Sequence, residues 1–272
     1  MTAPQIAAAG RAGPSRLVRA RDVLTFEWTK LRSVRSNYWT LLIAAVVTLG
    51  VTAIVAQSIA SAPARPPGGP MNPLSSSFLG YGEYTVLPVT VLSVLTFTSE
   101  YASGLIRTTF TAVPRRGVVL AAKAAVTGAA ALTAGELLAF ACFFLTQAIL
   151  SAHHRGLALS HPGALRAVLA MGFVLAACAV VGVGAGAVTR HTAGAIAAAV
   201  TVIYLLAVLC LVLPSPWNVR LGRFTLPFAA YQLVTLHPQP GLLSPGLSVL
   251  VLIGWPAAAL LAATLVITRR DA

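Results

Sequence analysis

Tyr38–Ala60 is a run of 23 residues without one charged side chain. About 20 such residues cross the hydrocarbon core of a bilayer as a helix. Comparable runs recur along the chain, and that recurrence limits the fold more than any other feature. Within a bilayer the backbone N–H and C=O groups must be satisfied internally, which leaves helix bundles or closed barrels. The runs are continuously apolar rather than alternating between two faces, so they select helices. The expectation is an all-α polytopic membrane protein with six transmembrane helices. Composition agrees, because only 9% of the 272 residues are charged and mean hydropathy is +0.84, against about 25% charged in soluble domains.

The predicted spans are Tyr38–Ala60, Phe78–Ser99, a third within Val118–Leu150, Leu165–Thr189, Thr192–Leu213 and Gly246–Thr268. Val118–Leu150 is too long for one perpendicular span; Lys123 is read as its inner boundary, with the buried part starting near Ala124. Pro88 is placed to kink span 2, and Glu83 is read near that span's outer end. In span 4, Gly182 and Gly186 have the spacing that permits close helix packing. Between spans 5 and 6, Leu221, Phe224, Phe228 and Tyr231 recur at helical spacing, and prolines 214, 216 and 227 argue against a seventh span. A short interfacial or re-entrant helix is expected there.

Ahead of span 1, Met1–Arg16 reads as a disordered tail. Residues 17–36 read as an amphipathic helix lying in the membrane interface. Leu17, Leu24, Trp28, Leu31 and Val34 recur at helical spacing, while Arg21, Lys30, Arg32 and Arg35 occupy the remaining surface. Asp22 and Glu27 fall in its N-terminal half, where the helix dipole favours acids. Ala60-Ser61-Ala62 resembles a signal-peptide cleavage site, but the preceding run exceeds the roughly 7–15 residues of such a segment, so an uncleaved anchor is favoured.

Topology follows from the cations. With the N-terminus inside, inner segments carry Arg11, Arg16, Arg19, Arg21, Lys30, Arg32, Arg35, Arg107, Arg115, Arg116, Lys123, Arg190, Arg269 and Arg270, which is 14; outer segments carry Arg65, Arg155, Arg166, Arg220 and Arg223, which is 5. An excess of that sign predicts both termini on the cytoplasmic side of a multi-pass plasma-membrane protein. The net charge of +13 is therefore read as flanks suited to anionic lipid, and no nucleic-acid partner is expected. Cys142, Cys178 and Cys210 each lie inside an apolar run, with neither disulfide nor metal spacing.

No sequence motif for catalysis or for a cofactor is present. The phosphate-cradling G-x-x-x-x-G-K-[ST] pattern, H-E-x-x-H and G-x-S-x-G are all missing from the sequence, so an enzyme is not expected. His153, His154 and His161 share one loop without an acidic or thiol neighbour and read as a polar loop rather than a metal site. Glu136 falls near the middle of span 3, where an ionised, unpaired carboxylate is costly. Two readings stay open for it: a pathway or proton-relay residue, and an interhelical hydrogen bond.

The most specific stretch is Glu100–Gly117, a polar and basic break between spans 2 and 3. Glu100 is read as capping a short helix there or fixing a cation such as Arg107. Gly104 is read as permitting close backbone approach. Arg107, Arg115 and Arg116 supply a basic face, and Pro114 ends the helix and turns the chain back.

Two segments carry a resemblance. F-E-W-T-K-L-R-S-V-R-S-N-Y-W-T-L-L over Phe26–Leu42, and S-E-Y-A-S-G-L-I-R-T-T-F-T-A-V-P-R-R-G over Ser99–Gly117, resemble bacterial, particularly actinobacterial, type-2 ATP-binding-cassette exporter permeases. The resemblance implies that residues 17–36, with Glu27, Trp28, Lys30 and Arg32, form the family's interfacial connecting helix. It implies that Glu100–Pro114 is a cytoplasmic coupling helix seated in a separate ATPase subunit. Pro214–Leu233 becomes the outer re-entrant segment, and residues 38–270 the permease domain. Two permease units, as two copies or a copy and a paralogue, would combine with two ATPase subunits. A different class also fits the sequence: a non-transport assembly or immunity protein binding partners through the same loop. A weaker third reading is a membrane enzyme using Glu136 and a histidine.

Overall fold

The structure, a computed structural model, describes residues 20–62, 73–112, 115–236 and 241–269. The predicted tail 1–16, Pro114 and Arg270 lie outside the described residues. All regular structure among the described residues is helical, and six helices are long and apolar enough to span a bilayer. In chain order the elements are α1 (Ala20–Ser33), α2 (Arg35–Ser61), α3 (Leu74–Ala102), α4 (Leu105–Ala112), α5 (Arg116–Ser151), α6 (Ala164–Thr189), α7 (Thr192–Val212), α8 (Trp217–Gly222), α9 (Leu226–Val234) and α10 (Pro245–Arg269). The six spans are α2, α3, α5, α6, α7 and α10. The chain is thus a polytopic α-helical membrane protein.

The bundle is built around α6, which packs against α5, α10 and α3. Its most apolar stretch is 72% buried, against 17% for α10 and 22% for α2. Small residues explain the difference. A Cβ on Gly182 would lie 2.8 Å from the Thr90 carbonyl oxygen of α3, and one on Gly186 would lie 3.1 Å from that of Val94. The predicted pair therefore does bring two backbones together. On another face of α6, a Cβ on Gly184 would sit 2.8 Å from the Ala259 Cβ of α10.

Hydroxyls tie the remaining helices to one another. Thr48 and Thr85 share a 2.7 Å hydrogen bond between α2 and α3, and the Tyr81 hydroxyl donates to the Gly135 carbonyl of α5 at 2.9 Å. Two spans contain one wide, π-helical turn each, Gly82–Val86 in α3 and Thr201–Leu205 in α7. The two irregular turns meet, since the Tyr204 hydroxyl donates to the Gly82 carbonyl at 2.6 Å. Pro88 lacks the N–H that the carbonyl four residues earlier requires, and the expected distortion falls in the wide turn just upstream of it.

Three expectations need correction. Glu83 is not near an end of its helix: α3 starts at Leu74, and the Thr48–Thr85 bond sets this turn level with the middle of α2. Lys123 is not a solvated boundary residue; α5 runs unbroken from Arg116 and Lys123 is only 1% exposed. The connection after α7 holds two short helices, and the stripe Leu221, Phe224 and Tyr231 is exposed. The buried residues of α9 are Leu226, Ala229, Gln232, Leu233 and Val234. In a bilayer both faces of a helix are apolar, so apolar spacing alone does not choose the packed face. The Trp255 indole holds this connection against α10 by donating to the Phe224 carbonyl at 2.8 Å. Arg166 of α6 donates to the Thr235 carbonyl at 2.9 Å.

Candidate functional site

The break after α3 begins with Gly104, whose φ of +71° lies in the left-handed region. Open space surrounds the position its Cβ would take. The glycine therefore serves the turn into α4, and the expected close backbone approach is not found among the described residues. α4 is anchored by Ile106, 3% exposed, which joins Phe97, Leu120, Val183 and Ile267 in a second core cluster. Leu105 and Thr108 of α4 are exposed; the Arg107 side chain lies outside the described set. Arg115 is exposed just before α5. Arg116 is turned inward instead, its Nη1 donating to the Ile267 carbonyl of α10 at 3.1 Å.

Beneath this elbow lies a buried cluster of four charged side chains. Lys123 Nζ of α5 donates to Glu27 Oε2 of α1 at 2.7 Å and to Glu100 Oε1 of α3 at 2.6 Å. Lys30 of α1 donates to the same oxygen of Glu100. Glu27, Glu100 and Lys123 are each at most 4% exposed, and Lys30 closes the solvent side with 28% of its side chain accessible. Two carboxylates and two ammonium groups leave no net formal charge, which is the condition for burying such a set. The Lys123 ammonium also lies 5.7 Å from the Phe97 ring centre. Beside it, Tyr101 contacts the Phe97 ring and carries the Arg190 guanidinium 5.4 Å above its own. Arg190 comes from the left-handed turn between α6 and α7, with φ +57°.

Glu100 belongs to the last turn of α3 rather than capping α4, and the cations it fixes are Lys30 and Lys123. Glu27, expected in the N-terminal half of the helix on dipole grounds alone, is a buried ligand of Lys123. The packed face of α1 comprises Val23, Glu27 and, in part, Lys30 and Leu31, whereas Leu24, Phe26, Trp28 and Arg32 are exposed. Leu24 and Trp28 of the apolar stripe thus stay outside the face that packs on the bundle. The partners of its charged residues lie 70 and 96 positions away in sequence, a separation that no local pattern reveals.

Glu136 stands apart from this cluster, half-buried in α5. Its carboxyl occupies the notch left by Gly172 of α6, where any Cβ would collide with it. Its Oε2 is buried with no hydrogen-bond partner among the described residues. His153, His154 and His161 are exposed at the end of the bundle opposite α1.

Physically, the cluster is a clamp. One lysine joins three helices, and two of them, α3 and α5, are the helices that α4 connects. Movement imposed on α1 reaches α3 and α5 through shared charge-assisted bonds, which resist separation in a dry setting. The class that fold and site define is a six-span helical membrane protein with an ion-clamped elbow at one end of its bundle. No known protein family, curated protein or solved structure matches this chain.

Proposed function

We propose that the protein is the membrane-spanning permease subunit of an ATP-binding-cassette transporter, an exporter in the type-2 arrangement. A separate ATPase subunit docks on α4 and the neighbouring basic residues. The observation that carries the proposal is the buried tetrad of Glu27, Lys30, Glu100 and Lys123, which joins α1 to both helices flanking α4. A handle on a lever needs stiff attachment to what it moves, and that attachment is the geometry required. α1 is the interfacial connecting helix, with the exposed side chains of Leu24, Phe26 and Trp28 turned to lipid. The α1 end of the bundle faces the cytoplasm of a bacterial cell, in accord with the cation count. α8 and α9 form the outer re-entrant segment.

Mechanistically, ATP binding closes the partner dimer, and closure favours one permease conformation over another. A ligand moves such an equilibrium only by its differential affinity for the two states. The clamp therefore converts a displacement of α4 into a tilt of α3 and α5 together. Two six-span units, as a homodimer or with a paralogue, enclose the pathway.

The test is co-purification of this chain with an ATPase subunit encoded beside it, followed by ATPase assays in lipid. Arg107→Glu combined with Arg115→Glu is expected to abolish stimulation of the ATPase while the permease still inserts and stays monodisperse. ATPase stimulation unchanged by both charge reversals would remove the role assigned to α4.

A further inference from the structure

Glu83 is an exposed carboxylate at the wrong depth for water. Thr48 is the fourteenth of the 27 residues of α2 (48 − 35 + 1), hence its midpoint, and it bonds Thr85. Glu83 is two residues from Thr85, so it lies within about 3 Å of that level along the helix axis. The middle of α2 falls inside the hydrocarbon core, and so does Glu83, the tenth of the 29 residues of α3. Among the described residues no hydrogen bond or ion pair to Glu83 is found, and its side chain is exposed. An intramembrane acid facing outward without a partner is costly, and such residues are as a rule functional.

The carboxylate opens into a groove of about 340 Å³ between α2 and α3, walled by Ile43, Val47, Tyr84, Leu87 and Pro88. That volume falls at the small end of ligand sites, which pair a mostly apolar lining with few polar groups. Here the polar group is an acid, and Tyr84 adds an aromatic ring suited to a cation. The wide turn Gly82–Val86, held by Tyr204, fixes the segment that presents Glu83.

We infer that this groove is a binding site for one lipophilic organic cation, such as a quaternary ammonium or phosphonium or a protonated hydrophobic amine, that reaches Glu83 through the bilayer. Charge decides against a second copy of the chain as occupant. The cations of the spanning helices sit toward helix ends, and the deepest, Lys123, is already bound by Glu27 and Glu100. A twofold dimer through this face would bring two Glu83 carboxylates to one depth, which is repulsive unless a cation lies between them. The site stands without the transporter proposal and rests on it only in making the cation cargo.

The experiment is equilibrium dialysis of tetraphenylphosphonium against the purified chain in zwitterionic lipid nanodiscs, without any ATPase subunit. The wild type is expected to bind saturably, and triphenylphosphine oxide, a neutral molecule of similar bulk, not to compete. Glu83→Gln should weaken binding at least about tenfold, the loss of one charge-assisted contact; Glu83→Asp should retain it. Val47→Trp fills the groove and keeps the acid; it should also lose binding, and it carries the test should Glu83→Gln fail to fold. Unchanged affinity in a folded Glu83→Gln protein, or equal competition by the neutral compound, overturns the proposal. So does a disulfide between two copies bearing Ile43→Cys, which would assign the groove to a second subunit. Because no ATPase is present, failure here leaves the coupling role of α4 untouched, and failure of coupling leaves this site untouched.

Discussion

Replacing Lys123 by Met is expected to destabilise the folded bundle by about 3–5 kcal/mol, the range for breaking a buried ion pair from one side. Lys123 is the sole donor found to Glu27 among the described residues and one of two to Glu100. Its removal leaves an uncompensated acid on α1 in a site that is 4% exposed. Glu27 Oε1 and Glu100 Oε2 are already without partners among the described residues, so no donor stands ready to replace the ammonium. Methionine nearly matches lysine in length and apolar stem, so the change is one of charge rather than volume. Thermal unfolding in detergent should show the loss. The paired variant Lys123→Met with Glu27→Gln should recover about 1–3 kcal/mol of it, the coupling typical of contacting groups. In that variant Glu100 keeps Lys30 and position 27 no longer carries a charge. Strictly additive effects would show that the two side chains do not act as a unit.

The second large effect is expected at Gly182. Gly182→Val places a branched side chain where even a Cβ lies 2.8 Å from the Thr90 carbonyl and 3.1 Å from the Ser93 Cβ. Backbone cannot swing aside as a side-chain tip does, so α3 and α6 must part. Overpacking of this kind costs about 1–3 kcal/mol, occasionally more, and here it falls on the most buried span. Gly254→Val is the control, because nothing lies within 4 Å of its Cβ position in α10. Equal melting shifts for the two variants would mean that helix propensity, not contact between α3 and α6, sets the effect.

The spans were legible because they are a one-dimensional property: Tyr38–Ala60 announces itself by lacking charge, and α2 runs Arg35–Ser61. Gly182 and Gly186 were legible for a related reason, since their spacing alone puts them on one helix face. The clamp was not. Glu27, Lys30, Glu100 and Lys123 each looked sufficient as a helix flank, and only the approach of α1, α3 and α5 makes them one site. Glu136 was placed at mid-helix correctly, yet the Gly172 notch that receives it belongs to a different helix. The wide turns at Gly82–Val86 and Thr201–Leu205 carry no composition signal, so the true depth of Glu83 stayed hidden. The packed faces of α1 and α9 are not readable from apolar spacing, because lipid and core both accept leucine.

Because α4 works as a handle only if an ATPase reaches it, the orientation of the bundle is the most direct test. The native cysteines are buried, so single cysteines at the exposed positions Thr108 of α4 and His153 of the loop before α6 report accessibility cleanly. Intact cells treated with a membrane-impermeant maleimide should label His153→Cys and spare Thr108→Cys until the membrane is opened. Labelling of Thr108→Cys in intact cells, with His153→Cys protected, would put the elbow outside the cell and contradict the account.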